Sequence, residues 1–307
     1  MSHKEKSIVT LGTFDGVHLG HQKIITRLLE EADRLGYKPI LVTFFPHPSH
    51  VLTPEKPLKM INSIDERVEL LKKQGLEHVV IEKFTKEFSN KTALDFIKER
   101  LLGTFQMKKL IVGYDHSFGK DKQGDFNSLE NFSKEFDFEI EKVTAYSVDN
   151  VTVSSSLIRG LLLEGEINKV NKYLGYNFCL FGTVVKGNQL GRKIGFNTAN
   201  IVLDYPNKIV PKKGVYVVQS TIDGQIFYGM MNIGYRPTVD GTTQTIEVHF
   251  FDLNKNLYDK KIRVFVLKRL RNEYKFENIE MLKLQLEQDK KNAIDFLKFY
   301  NGKNNNK

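Results

Sequence analysis

The sequence predicts a doubly wound α/β domain followed by an antiparallel β-domain, a barrel or a sandwich, with a C-terminal helix. At 307 residues the chain exceeds the usual size of one domain. Short apolar runs alternate with amphipathic stretches in the first half, which is typical of βαβ units. From residue 178 onward, short strands follow closely, separated by Gly, Asn, Pro and Asp. We therefore expect domains at residues 1–175 and 176–307.

The first domain should contain parallel strands separated by helices. Apolar runs predict strands at 8–11, 39–45, 79–81, 109–112 and 138–143. Helical spacing predicts helices at 22–35, 63–74, 92–102 and 129–136. In such sheets ligands bind beyond the carboxyl ends of the strands. The loops at 12–21, 46–50 and 113–119 each follow a strand, so we expect them to converge on one crevice.

The second half begins after two short helices between residues 154 and 174. Alternating apolar residues predict strands at 180–186, 215–222, 226–233, 245–251 and 262–270. A final helix is expected at about 279–299, where apolar residues recur at helical spacing.

Composition limits the function classes. The net charge of +9 fits phosphate-bearing small molecules, and the interleaving of lysine with glutamate argues against a nucleic-acid partner. No apolar run is long enough to span a membrane, and the N-terminal residues have no signal-peptide core. The single cysteine, Cys179, excludes an internal disulfide and a multi-thiolate zinc site. The expected location is the cytoplasm.

Residues 12–21 carry the strongest local signal. Glycines at the end of a strand let backbone N–H groups approach a ligand, and the following helix offers a phosphate site at its N-terminus. His18 and His21 are three residues apart, so on a helix they share one face. The stretch predicts a site for a nucleoside triphosphate.

The sequence His18-Leu19-Gly20-His21 resembles the HxGH signature of the Rossmann-like nucleotidyltransferases. The longer run GTFDGVHLGHQ at 12–22 resembles the opening of the bacterial bifunctional riboflavin kinase/FAD synthetases. Residues 45–48, 113–119 and 153–159 match further motifs of that family in order. The resemblance implies adenylyl transfer from ATP to FMN with release of pyrophosphate.

Site residues of the first domain follow from that resemblance. His18, His21 and Arg159 would be catalytic, stabilising charge on the triphosphate. His47 and Asp115 would lie at the flavin. The expected nucleotide-binding residues are Gly12, Phe14, Asp15, Gly16, Gly20, Ser154, Ser155 and Ser156.

Residues 46–50 include His47 and His50, a spacing that can suggest a metal site. Pro46 and Pro48 are expected to hold an extended loop, which argues against zinc and favours a substrate-lining loop.

The segment 182–201 resembles the riboflavin kinase signature, which implies a barrel. Thr198 and Asn200 match positions that bind Mg²⁺ and ATP phosphates, and Gly191 and Gly195 are expected to bind nucleotide. The family has proline at the position of Asn197, so we expect a looser loop here.

Two downstream segments, 246–249 and 270–276, also match the riboflavin kinase pattern. They imply that Glu247 is the base toward the ribityl hydroxyl and that Arg271 contacts flavin or nucleotide. Two further departures are Ser156 for threonine and Lys122 for arginine.

The resulting hypothesis is an enzyme that makes FMN from riboflavin and FAD from FMN, using ATP and Mg²⁺ at both sites. Its expected partners are small-molecule substrates, with self-association left open. One alternative retains only adenylyl transfer, with a weakened kinase domain. The other is a non-catalytic flavin-sensing or RNA-binding regulator.

Overall fold

The computed structural model describes residues 5–114, 118–120, 124–187, 195–238 and 241–304, except the side chains of 236–238, 241–242 and 301–304. Contacts divide the chain into two compact units, Met1–Ser155 and Ser156–Lys307, and each is considered separately. The domain boundary predicted near Gly175 differs from this division, because it assigns the two helices between residues 154 and 174 to the first domain. That boundary stays a prediction.

The first unit is built on a five-stranded sheet in the order β3-β2-β1-β4-β5. All four strand pairs are parallel. The strand β1 is buried along its whole length because it lies in the middle of the sheet. The bounds are β1 Ser7–Leu11, β2 Lys38–Phe45, β3 Val79–Lys83, β4 Met107–Gly113 and β5 Glu139–Val143. The doubly wound arrangement predicted from the sequence is confirmed, with the switch in strand order at β1.

Two apolar cores flank this sheet. On one face, Val9 and Leu11 of β1 pack with Leu101. On the other, Ile8 packs with Leu28. Successive residues of a strand point to opposite faces, so β1 serves both cores.

Helices of the first unit follow most of the predicted positions. The helix α3 begins with the predicted capping box, formed by Ser63 and Glu66. The predicted helix at 92–102 is instead a short α-helix that continues as a π-helix to Thr104. The bounds are α1 Leu19–Leu35, α2 Pro48–Leu52, α3 Ile64–Lys73, α4 Lys86–Ser89, α5 Ala93–Phe96, the π-helix Ile97–Thr104 and α6 Phe126–Glu135. A hairpin of β6 Ser147–Val148 and β7 Val151–Thr152 follows β5.

The expectation of an extended loop at 46–50 is wrong in part. The helix α2 begins at Pro48. Proline is well suited to the first position of a helix because its missing N–H has no partner there in any case. The His47 side chain accepts a hydrogen bond from the Ser49 N–H and so caps the helix.

The second unit contains a closed six-stranded barrel in the order β10-β11-β12-β9-β8-β13, with antiparallel pairs throughout. This settles the choice between barrel and sandwich. The strand β9 was not predicted, because it is short and follows a polar stretch. The bounds are β8 Cys179–Val185, β9 Ala199–Leu203, β10 Gly214–Ile222, β11 Gln225–Thr238, β12 Gly241–Phe250 and β13 Lys261–Arg271. The helices are α7 Ser155–Glu164, which begins at the division between the units, α8 Ile167–Leu174 and α9 Ile279–Asn304.

The helix α9 covers part of the outer face of the barrel. Val215 and Val217 of β10 pack with Ala293 and Leu297 of α9. Val215 lies opposite Asn232 of β11, and residues directly opposite in an antiparallel pair share one face. The outer face therefore passes from an apolar area under α9 to a polar area at Asn232. Among the described residues, no helix is long and apolar enough to cross a membrane.

Candidate active sites

The glycine-containing loop after β1 has an unusual backbone. Gly16 has φ 89°, and the non-glycine residues Phe14 and Val17 have φ 48° and 37°. This region is unfavourable for a β-branched residue such as Val17. The Gln22 side-chain amide donates to the Val17 carbonyl oxygen at 2.8 Å, and the Val17 N–H donates to the Phe14 carbonyl oxygen at 3.1 Å. These bonds hold the loop in its conformation.

His18 and His21 come together as predicted, but by another route. His18 is the N-cap of α1 and lies outside the helix, with Nδ1 accepting a hydrogen bond from the His21 N–H at 3.3 Å. The two rings stack with centroids 3.6 Å apart. Because Nδ1 of His18 accepts, its Nε2 carries the proton of the neutral ring. The pair can present ring N–H groups to one anionic ligand.

Phe14 and Asp15 make their contacts inside the protein. The Phe14 ring is buried and lies 4.9 Å from the His21 ring, between centroids. The Asp15 carboxylate is fully buried and accepts hydrogen bonds from the backbone N–H groups of Ile61 at 3.0 Å and Asn62 at 3.0 Å. Both side chains therefore hold the loop in place. Their predicted contacts with nucleotide stay predictions.

Ser155, the last residue of the first unit, lies beside the same loop. The Ser155 hydroxyl donates to the Asp15 carbonyl oxygen at 2.8 Å. A Cβ at Gly20 would lie 3.2 Å from the His18 ring and 3.5 Å from the Val153 carbonyl oxygen, so only glycine avoids crowding there. The structure thus brings the 12–21 loop and the residues before α7 together. Ser154 precedes α7, Ser156 lies in its first turn and Arg159 one turn later, within the second unit.

His47 and His50 each use one ring nitrogen in a contact with a neighbouring protein group. Nδ1 of His47 contacts the Ser49 hydroxyl at 2.8 Å, while Nε2 of His50 contacts the Leu58 carbonyl oxygen at 2.7 Å. Across the described ranges, no group of three His, Cys, Asp or Glu residues could hold a metal ion. The predicted flavin contact of His47 stays a prediction, and Asp115 and Gly191 lie outside the described residues.

The barrel carries a row of polar side chains across three neighbouring strands. Glu247 of β12 lies opposite Asn200 of β9 on one side and opposite Asn232 of β11 on the other. Each lies between two buried residues of its strand, so the three side chains share the outer face. The sequence predicts Glu247 and Asn200 as site residues, and these roles stay predictions. It does not show that Asn232 lies opposite Glu247, because register is not visible in a sequence.

A cavity of about 680 Å³ adjoins this row. Its lining includes Gly195, Thr198, Asn200, His249 and Lys290. A Cβ at Gly187, another lining residue, would collide with the Asn200 side-chain amide, so glycine admits that group. The size and polar lining suit a nucleotide.

His249 supports the loop that carries Thr198. Its Nδ1 contacts the Asn197 carbonyl oxygen at 2.8 Å. Burial lowers the pKa of His249, and the hydrogen bond to Asn197 opposes this only in part. The ring is therefore neutral at neutral pH and donates from Nδ1. In the sequence, the position of His249 two residues after Glu247 on a predicted strand indicated that both side chains lie on the same face.

Arg271 is held by protein groups. Its guanidinium binds the buried Asp289 of α9, with Nη2 to Oδ2 at 2.7 Å and Nε to Oδ1 at 2.9 Å. It also lies over the Tyr274 ring at 4.6 Å. Arg271 therefore fastens the end of β13 to α9, and its predicted contact with flavin or nucleotide stays a prediction.

Comparison with known proteins finds a family model for each half of the chain. A family model described as FAD synthetase matches residues 1–157, and one described as riboflavin kinase matches residues 174–297. The bifunctional riboflavin kinase/FMN adenylyltransferase of Haemophilus influenzae is 36% identical over 94% of this chain and 93% of its own length. The enzyme of the same description from Bacillus subtilis is 35% identical over 95% and 92%.

One solved structure is similar over nearly the full length. A Streptococcus pneumoniae protein described as a macrolide-efflux protein has a TM-score of 0.86 and 32% identity, covering 95% of this chain and 94% of its own. Its description differs from those of both family models and of the curated relatives, which agree with one another. The alternatives of adenylyl transfer alone and of a non-catalytic regulator are thereby set aside. The chain belongs to the bifunctional riboflavin kinase/FMN adenylyltransferases, and it makes FMN from riboflavin and FAD from FMN.

Proposed function

We propose that separate sites perform the two reactions, adenylyl transfer at residues 12–21 and phosphoryl transfer at the polar row of the barrel. The observation that carries the second assignment is the register that places Asn200 directly opposite Glu247, beside a cavity also lined by Thr198. A carboxylate and two oxygen ligands on one surface are the groups that a kinase of an alcohol needs.

In the adenylyl transfer, a phosphate oxygen of FMN attacks the α-phosphorus of ATP, and the bond from that phosphorus to the pyrophosphate oxygen breaks. His18 and His21 donate hydrogen bonds to the triphosphate, and the N-terminus of α1 adds a partial positive charge. The phosphate contacts that the resemblance implies for Ser154, Ser155, Ser156 and Arg159 stay predictions. No covalent intermediate with the protein is required, since positioning and charge stabilisation suffice.

In the kinase reaction, Glu247 accepts the proton of the ribityl 5′-hydroxyl while that oxygen attacks the γ-phosphorus of ATP. The bond between the γ-phosphorus and the bridging oxygen breaks, and ADP leaves. Glu247 lies on the outer face of β12, between the buried Ile246 and Val248, so substrate can reach its carboxylate from the surface.

Mg²⁺ fits the residues at the barrel site. Thr198 and Asn200 offer neutral oxygens, and the glycine at 187 leaves room for the Asn200 amide. A site with only a few protein ligands suits Mg²⁺, because the ion keeps several waters and binds phosphates. When bound, the ion neutralises charge on the phosphates of ATP. We assign Mg²⁺ to the adenylyl site too.

We place the enzyme in the cytoplasm. The interleaved charges give it no nucleic-acid partner in this proposal. Self-association stays a prediction.

A magnesium titration tests the assignment of the metal ligands. We expect Thr198→Val to raise the Mg²⁺ concentration for half-maximal FMN formation roughly tenfold, because one oxygen ligand is lost. Asn200→Ala should act in the same direction. FAD formation from supplied FMN should keep its Mg²⁺ dependence in both variants.

The matched control is Thr221→Val, an exposed threonine of β10. It should behave as the unaltered enzyme. An unchanged Mg²⁺ requirement in both Thr198→Val and Asn200→Ala would refute these two residues as ligands.

A further inference from the structure

The segment between β13 and α9 places a carboxylate beside the polar row of the barrel. Glu273 lies two residues after the end of β13, and its Oε1 accepts a hydrogen bond from the Asn232 side-chain amide at 3.3 Å. Asn232 is the residue directly opposite Glu247 on the neighbouring strand. A second glutamate therefore contacts the side chain adjacent to the proposed base.

Gly234 makes this contact sterically feasible. A Cβ at Gly234 would collide with Oε1 of Glu273. Glycine is unfavourable in the interior of a strand and often marks a close approach of another group. Here that group is the Glu273 carboxylate, so residues 234 and 273 form one steric unit.

The Glu273 contact also determines how the Asn232 side chain is turned. An ionised carboxylate only accepts hydrogen bonds, so the Asn232 amide must direct its nitrogen toward Glu273. Two residues before Glu273, the ion pair of Arg271 with Asp289 fastens the chain to α9. This ion pair restrains the segment that carries Glu273, and the Glu273 carboxylate in turn restrains the Asn232 side chain.

We propose that Glu273 is a positioning residue of the kinase site, which orients Asn232 and thereby keeps the Glu247 carboxylate directed at the acceptor hydroxyl. This inference rests on the proposed role of Glu247 as the base. Gly234 belongs to the same device, because it leaves the space that the Glu273 carboxylate occupies. Glu273 and Gly234 therefore affect kcat of the kinase reaction and do not themselves bind ATP.

Four variants test this role in the full-length enzyme. Glu273→Ala removes the acceptor, and Gly234→Ala displaces it by adding a methyl group. The double variant tests whether the two changes act through one contact. Glu273→Gln keeps an oxygen that can accept from Asn232.

The readouts are kcat and both KM values for FMN formation, with FAD formation from supplied FMN as a check on folding. We expect Glu273→Ala and Gly234→Ala each to lower the kinase kcat about tenfold, with the KM for ATP unchanged, as a misplaced base would. The double variant should be no slower than either single variant, and Glu273→Gln should recover most of kcat.

Glu277→Ala is the matched control, because it removes the same charge from an exposed position of the same segment. It should leave kcat unchanged. Losses that multiply in the double variant, a Gln variant as slow as Ala, or full kcat in Glu273→Ala would each overturn the proposal. If Gly234→Ala does not fold, Glu273→Ala and Glu273→Gln still decide it.

Failure of the underlying assignment is visible separately. Glu247→Gln at full kcat would refute the base itself. A large loss in Glu247→Gln together with full kcat in Glu273→Ala would refute only the positioning role.

Discussion

The sites proposed for the two reactions are built by different structural means. In the first, His18 and His21 are close in sequence, and one loop and the start of one helix bring their rings to 3.6 Å between centroids. In the second, Asn200, Asn232 and Glu247 come from three strands and meet only through the register of the barrel. A local site can be recognised from its motif, whereas a cross-strand site depends on the whole sheet.

The groups offered to phosphate differ as well. The first unit presents a helix N-terminus and imidazole N–H groups, which suit charge that develops on a leaving pyrophosphate. The second presents a carboxylate and neutral oxygens, which suit an alcohol nucleophile and a metal-bound nucleotide. Single substitutions should therefore separate the two activities.

The largest effect is expected from Glu247→Gln. Loss of the base should lower FMN formation from riboflavin by about 10³-fold, because general-base catalysis contributes on that scale. FAD formation from supplied FMN should be unaffected, as measured by separating the flavin products. Glu287→Gln, an exposed glutamate of α9, is the matched control. A parallel loss of both activities in folded protein would contradict separate sites.

His21→Ala should lower FAD formation and spare FMN formation, with a smaller effect than that of Glu247→Gln. Removal of one ring that stabilises the triphosphate should lower FAD formation from FMN by about 10²-fold. FMN formation from riboflavin should continue at the normal rate. The exposed His78, replaced by alanine, serves as the control in the same unit. Unchanged FAD formation in His21→Ala would remove the histidine pair from the mechanism.

Asn197→Pro should improve the kinase site and leave the adenylyl site alone. The carbonyl oxygen that contacts His249 is retained in proline, and the restricted φ should stiffen the loop. We expect the KM for ATP in FMN formation to fall roughly twofold to fivefold, since such rigidity is worth about 0.4–1 kcal/mol. Asn197→Ala keeps the loop flexible and should show no such gain. A raised KM in the proline variant would show that this loop needs its freedom.

Acid should reveal a smaller difference between the units. The pKa of His249 is lowered on folding, so the unfolded chain binds more protons and stability falls as the pH drops below about 6.5. In the first unit, hydrogen bonds from Arg34 and Lys109 lower the pKa of Glu31 to about 2. The stability that Glu31 contributes is therefore complete above its unfolded value of 4.5 and is lost as the pH falls toward 2.

Thermal unfolding at pH 7 and pH 5.5 measures this difference. Between these values His249→Asn should remove a few degrees of the fall in Tm, and Glu31→Gln should leave that fall unchanged. Equal acid sensitivity of the unaltered chain and His249→Asn would contradict the lowered pKa.

The local features of the fold could largely be predicted from sequence. The strand β1, the helix α1 and the capping box of Ser63 and Glu66 depend on neighbouring residues, and they form where the patterns place them. The extended loop predicted at residues 46–50 was wrong in part, because proline can either break a helix or occupy its first turn. Here the N-cap at His47 favours a helix that begins at Pro48. The strand β9 was missed because its five residues gain their stability from pairing with β8 and β12.

The order of residues alone was enough to indicate an α/β domain followed by β-structure, and the histidine pair. The kinase roles of Glu247 and Asn200 follow from the family resemblance and stay predictions. Tertiary structure decided that His18 caps α1, that Phe14 and Asp15 hold the loop from within, and that Arg271 pairs with Asp289. It also decided the place of Glu273 over Gly234. These contacts join residues far apart in the chain, and their geometry depends on register and packing, which no local pattern encodes.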